Sequence, residues 1–224
     1  MNPLRGASAR NLLGPVVRAA YRVRVAGAHL VPREGGVLLL STYAGITDPT
    51  LLATNLTRPV AVLVGEGSTP VGLRSALGRI VVSEQAPGAG LREAAALLDN
   101  GHAVAVFPEG CAADGPEHGG FAAGAAYLQA RTGVPVVPVA IAGSTGPRPT
   151  DPPRPRSIID IVVGEPLRMA PVADPLVRSE VVAVAEQLRQ HFSDHVREAR
   201  LRTGRLRGGL PNTAEGSGGH NGAL

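Results

Sequence analysis

With 224 residues, 44% of them hydrophobic, the chain is long enough for one α/β domain with a sizeable core and too short for two with separate cores. Aromatics supply only 3% and tryptophan is absent, so that core must be built from Val, Leu, Ile and Ala. The net charge of +4 rests on 22 basic residues, all arginine, a bias that suits a GC-rich coding sequence as well as an anionic surface; the single cysteine, Cys111, excludes an intramolecular disulfide framework and agrees with a reducing cytoplasm.

The first 22 residues read as an amphipathic helix, running from about Ala9 to Tyr21. Leu12, Leu13, Val16 and Ala20 group on one side and Arg10, Arg18 and Arg22 on the other. Such a helix suits either an anionic membrane interface or a sheet that it covers with its arginines in water. The start lacks an apolar stretch of signal-peptide length, and about 18 consecutive apolar residues occur nowhere. A cytoplasmic protein is expected, with peripheral attachment at the inner face of the membrane as the variant that the basic helix allows.

From residue 23 to about 200, short β-rich runs alternate with helical segments. Strands are expected at Val23 to Val25, Val37 to Ser41, Val60 to Val64, Ile80 to Ser83, Ala103 to Phe107, Val136 to Ile141 and Ile158 to Val163. Helices are expected near Asp48 to Asn55, Pro70 to Leu77, Gly90 to Leu98 and Phe121 to Arg131. This alternation predicts a single α/β domain with a mostly parallel central sheet and helices on both faces. The runs VLLL, VAVLV and VAVF are apolar throughout, as doubly covered strands should be.

Asp48 reads as a helix N-cap with Pro49 at the first helical position. The Pro-rich stretch between Gly143 and Arg156 reads as an exposed connection. A last long helix is expected to open with Asp174 as N-cap and Pro175 next. It should dock the stripe of Val177, Val181, Val184, Leu188 and Phe192. Residues 201–224 turn to Gly, Ser and Asn and read as a disordered tail. His191 and His195 stand four apart on the last helix, as paired metal ligands can, but no third ligand is in sight and no metal is expected.

Four blocks, in order, resemble those of the glycerolipid acyltransferase superfamily, the 1-acylglycerol-3-phosphate acyltransferases among them. In VLLLSTYAGITDPTLLA, Thr42, Tyr43 and Asp48 stand where that family places Asn, its catalytic His and, after four intervening residues, an Asp. AVAVFPEGCAADG keeps the family's Phe107, Pro108, Glu109 and Gly110, which the resemblance assigns to substrate binding. LGRIVVSE matches the intervening second block and VPVVPVAIAGS the fourth. The resemblance implies an acyltransferase fold and transfer of an acyl group from acyl-CoA or acyl carrier protein, as co-substrate and not bound cofactor. The acceptor would be a lysolipid or other hydroxyl compound; an anionic membrane is a further partner, and no nucleic acid is expected.

The departures bear on the chemistry. A histidine oriented by a carboxylate can take the proton of the attacking hydroxyl. A tyrosine, with an ordinary pKa near 10, stays protonated at neutral pH. The basic positions that the family aims at an acceptor phosphate fall here on Glu84, Ala112 and Ala122. Each lost charge-assisted hydrogen bond is worth roughly 1.5–3 kcal/mol, which disfavours a phosphate-bearing acceptor. Two readings stay open: a divergent acyltransferase with a changed acceptor, in which Tyr43 and Asp48 hold the catalytic positions and His118 is a candidate substitute base, or a non-catalytic lipid-binding or regulatory protein. Cys111 invites a nucleophile reading as well as that of a small residue in a tight turn.

Overall fold

The computed structural model describes residues 13–65, 79–82, 87–108, 123–148, 151–169, 172 and 177–204. These form a seven-stranded sheet: β1 (Arg22–Ala26), β2 (Val37–Ser41), β3 (Val60–Gly65), β4 (Arg79–Val82), β5 (Ala103–Val106), β6 (Val136–Ala142) and β7 (Ile158–Val163). The spatial order is β1-β7-β6-β2-β5-β3-β4. Each described pairing is parallel except β6 with β7, so β1 and β7 run against the other five. The described helices are α1 (residues 13–20), α2 (Asp48–Asn55), α3 (Pro87–Asp99), α4 (Ala123–Thr132) and α5 (Arg178–Thr203), with a 3-10 turn at Ala28–Leu30.

The apolar runs are buried on both sides because successive strand residues point to opposite faces. In β2, Val37 and Leu39 belong to one core cluster and Leu38 and Leu40 to the other. The first cluster is closed by Val17 of α1 and Leu51 and Leu52 of α2, the second by Leu98, Leu128 and Leu188 of α3, α4 and α5. Small residues make this stacking possible without aromatics: β5 reads AVAV, and its alanines sit at the sheet centre, fully buried.

Three expectations are corrected at element ends. Asp48 is the first residue of α2 and Thr47 its N-cap, because the Asp48 carboxylate turns back to the preceding loop instead of forward into the helix. The last helix opens at Arg178 with Val177 as cap, later than expected; Asp174 and Pro175 lie outside the described residues. It runs on through Thr203, three residues into the stretch read as tail, and ends where Gly204 turns left-handed at φ 60° and bonds back to Arg200.

The stripe of α1 is also rotated from the expected one. Val17 is buried, with Leu13 and Tyr21 packed on the same cluster, whereas Val16 is 61% exposed. Positions four apart stack on one helix face, so 13, 17 and 21 make the seam against the sheet. The helix expected at Pro70 to Leu77 and the region beyond Gly204 lie outside the described residues.

Candidate active site

β2 and β5 are parallel neighbours whose carboxyl ends meet, Leu40 lying beside Val106. The chain leaves β2 toward β3 on one side, and leaves β5 toward β6 on the other. Crevices outside strand ends at such a reversal are where open α/β sheets place ligands. Tyr43 follows β2 and Phe107 follows β5, and their rings meet edge to face with centroids 5.5 Å apart. Phe107 and Pro108 are buried, while Tyr43 is 37% exposed and faces the opening. The structure thus brings Tyr43, Phe107 and Pro108 together; Glu109 and Gly110 lie outside the described residues, as do Glu84, Ala112, Ala122, Cys111 and His118.

The turn carrying Tyr43 is held from two directions. Thr42, in the preceding position, uses its hydroxyl oxygen to accept the Ile141 N–H at 2.8 Å, tying the end of β2 to β6. Asp48 is fully buried, and its Oδ2 accepts the backbone N–H groups of Ala44 at 2.6 Å and Gly45 at 3.0 Å. Gly45 is pressed on the loop after β6: a Cβ there would stand 2.5 Å from the Ser144 carbonyl oxygen. Only glycine allows that approach.

Three polar atoms at this junction have no hydrogen-bond partner: Asp48 Oδ1, Ser144 Oγ and Thr47 Oγ1. Burial pushes the Asp48 carboxyl up to about 6, opposed by the Ser144 hydroxyl and the two turn amides. The Ser144 hydroxyl is near enough to favour the charged form without the alignment of a formed hydrogen bond. A buried carboxyl with one oxygen spent on the backbone and the other unspent is unusual, since buried polar atoms are nearly always paired. It is also a mark of functional sites.

Ser144, Thr42 and Gly45 were not singled out as functional by sequence reasoning. The fourth block contains Ser144, but its place within a stretch read as exposed connection hid a fully buried residue. The histidine pair fares differently. The Nε2 of His191 lies 3.1 Å from the Glu165 carbonyl oxygen and that of His195 3.0 Å from the Val162 carbonyl oxygen, so each ring fastens α5 to the end of β7. Both line a cleft of about 340 Å³ in which Glu198 is paired with Arg202. Among the described residues no three His, Cys, Asp or Glu side chains are grouped to hold a metal ion, and no helix is long and apolar enough to cross a membrane.

Comparison with known proteins agrees with this layout. The chain is similar in structure to the 1-acyl-sn-glycerophosphate (LPA) acyltransferase PlsC from Thermotoga maritima, with a TM-score of 0.60 at 19% identity, over 88% of this chain and 78% of that one. No curated protein matches it in sequence. The pattern of the Acyltransferase family matches residues 22–142, from the start of β1 to the end of β6, more than half of the chain, taking in the first three blocks and the fourth as far as Ala142. The chain therefore belongs to the acyltransferase family, and it carries the fold of a lysophosphatidic acid acyltransferase.

Proposed function

We propose that the chain is a divergent lipid acyltransferase, moving an acyl group from acyl-CoA or acyl carrier protein to a lipid or small hydroxyl acceptor. The observation that carries this reading is the buried Asp48, with Oδ1 unspent beside a turn that presents Tyr43 at the opening. In the reaction the acceptor oxygen bonds to the thioester carbonyl carbon, the carbon–sulfur bond breaks, and the acceptor proton ends on the departing thiol. A phenol hydroxyl can donate a hydrogen bond, so Tyr43 serves as a donor to the thioester oxygen, where negative charge develops. It does not take the acceptor proton. Loss of a positioned base costs roughly 10²–10⁴ in rate, so slow turnover is the expected behaviour. The absence of cations at Glu84, Ala112 and Ala122 favours an acceptor without a phosphate beside the reacting hydroxyl.

A second reading, a non-catalytic lipid-binding or regulatory protein on the same fold, is favoured by a different observation. Asp48 Oδ2 already serves the turn amides, and the edge contact of Tyr43 with Phe107 gives that ring a packing role. One assay separates the two. Purified chain and Tyr43→His are incubated with labelled acyl thioester and a panel of lysolipids and neutral alcohols. Slow transfer by the natural sequence, rising about a hundredfold in Tyr43→His as an imidazole reaches Asp48, is the expected result. Transfer by Tyr43→His alone would establish the non-catalytic reading; transfer by neither would remove the site from acyl chemistry.

A further inference from the structure

The loop that follows β6 is built against the turn that carries Tyr43. β6 lies beside β2 and runs parallel to it, so their carboxyl ends share one end of the sheet. Three contacts join the segments there. Thr42 accepts the Ile141 N–H at 2.8 Å, the Thr145 hydroxyl donates to the Ala44 carbonyl at 3.3 Å, and Gly45 rests on the Ser144 carbonyl. On the other side, Gly143 is pressed on the Ile158 carbonyl of β7. Ser144 is thus gripped between neighbours, and it is fully buried.

Its side chain has a use that packing does not supply. Ser144 Oγ and Asp48 Oδ1 are each buried without a hydrogen-bond partner, the first able to donate and the second, when charged, able only to accept. Burial raises the Asp48 carboxyl; against it, the Ser144 hydroxyl favours the charged form more than either turn amide does, and no charged side chain among the described residues takes part. Thr47 Oγ1, the other unpaired hydroxyl of the junction, has no such influence. A bond left unmade between two buried groups of complementary chemistry marks a contact that tightens when a site is at work, since hydrogen bonds of substrate-free sites are often long or poorly aligned.

Resting on the reading that the chain transfers acyl groups, we infer that Ser144 is a positioning residue of that reaction: its hydroxyl closes on Oδ1 of Asp48 while Oδ2 holds the Ala44 and Gly45 amides, and the carboxylate so held fixes the turn that presents Tyr43. A carboxylate tied at one oxygen can swing about its Cβ–Cγ bond, a torsion that is broad for Asp. Tied at both, from the β2 turn and from the β6 loop, it cannot. Ser144 reaches the reacting atoms only through Asp48 and the turn. Alanine would fill nearly the same space, so packing alone does not call for the hydroxyl.

The experiment follows the Asp48 carboxyl directly, by its carbon-13 signal in aspartate-labelled full chain, through a pH series. In the natural chain it titrates at about 6. Ser144→Ala should titrate about one pH unit higher, because a hydrogen bond to the charged form is lost. Ser144→Thr, which keeps the hydroxyl, should stay with the natural chain. Thr145→Val removes the neighbouring bond to Ala44 without touching Asp48 and should leave the midpoint in place. In acyl transfer from the labelled thioester, Ser144→Ala should move the acid limb of kcat upward by the same interval, roughly a fivefold fall at pH 6, with KM unchanged. An unmoved midpoint in Ser144→Ala, an equal movement in Thr145→Val, or a Ser144→Thr that behaves as Ser144→Ala overturns the assignment, as does a kcat limb that stays while the titration moves. Circular dichroism establishes folding, and the alanine and valine variants, which add no bulk, decide the matter if the threonine variant does not fold. The titration needs no turnover, so a chain without acyl transfer loses the function on which the assignment rests and keeps the contact, and the two failures are distinguishable.

Discussion

The turn after β2 and the face of α5 against β7 each place ionisable side chains against backbone groups, with opposite outcomes. On α5, His191 and His195 each spend Nε2 on a carbonyl, and the surrounding charges pair with one another. At the β2 turn, Asp48 spends one oxygen on two amides and leaves the other unpaired, next to the equally unpaired hydroxyls of Ser144 and Thr47. The histidines are more conspicuous in the sequence, yet the aspartate carries the marks of a site. A satisfied polar group contributes to stability, whereas an unsatisfied buried one costs stability and persists where function requires it.

That difference can be tested through stability, the largest effect first. Asp48 titrates near 6 in the fold against an ordinary 3.8, so its charged form is disfavoured by burial. The folded chain thus holds this proton more tightly than the unfolded one, and stability is lost as pH rises from about 4 to 6. A shift of this size corresponds to about 3 kcal/mol. Asp48→Asn, which keeps an acceptor for the turn without the charge, should therefore unfold at higher denaturant concentration than the natural chain above pH 6, by up to that amount, and equally below pH 4. A less stable Asp48→Asn at pH 8 would show that the carboxylate is a net structural support, and the contrast with α5 would collapse.

Gly45→Ala should cost about 1–3 kcal/mol in the same measurement, since the new methyl meets the Ser144 backbone, which cannot swing away as a flexible side chain does. The same variant should lower any acyl transfer by shifting the turn that presents Tyr43. The smallest effect is expected at His195, whose burial holds its imidazole below the ordinary value, opposed by the Val162 carbonyl and Glu198. For a base held low in the fold, stability is full above about pH 6.5 and is lost as pH falls through that value. His195→Asn should flatten that acid limb while leaving the alkaline side unchanged. An unaltered limb would mean that the ring plays no part in fastening α5.

Much of the scaffold was legible before any coordinates, and the reason is periodicity. Three elements, β2, α2 and β7, fall where the sequence places them, because Val37 to Ser41 and Ile158 to Val163 are bounded apolar runs and Asp48 to Asn55 is flanked by turn residues. Helix faces were harder. Leu12, Leu13, Val16 and Ala20 make an apolar stripe as plausible as Leu13, Val17 and Tyr21, and only packing on the sheet selected the second. Helix starts were harder still, since Asp48 has the residue type of an N-cap while its carboxylate bonds backward.

By itself the sequence determined the α/β class, the mostly parallel sheet and the acyltransferase family, because these follow from alternating hydrophobic periods and from short blocks whose order and spacing are linear properties of the chain. It also placed Tyr43, Asp48, Phe107 and Pro108 as candidates. The tertiary structure decided what each does to its neighbours: that Ser144, a hundred residues away in the chain, is pressed on Gly45, and that Asp48 is left with an unspent oxygen. Desolvation and pairing depend on which groups the fold brings within a few ångströms, and strand order, not sequence distance, sets that.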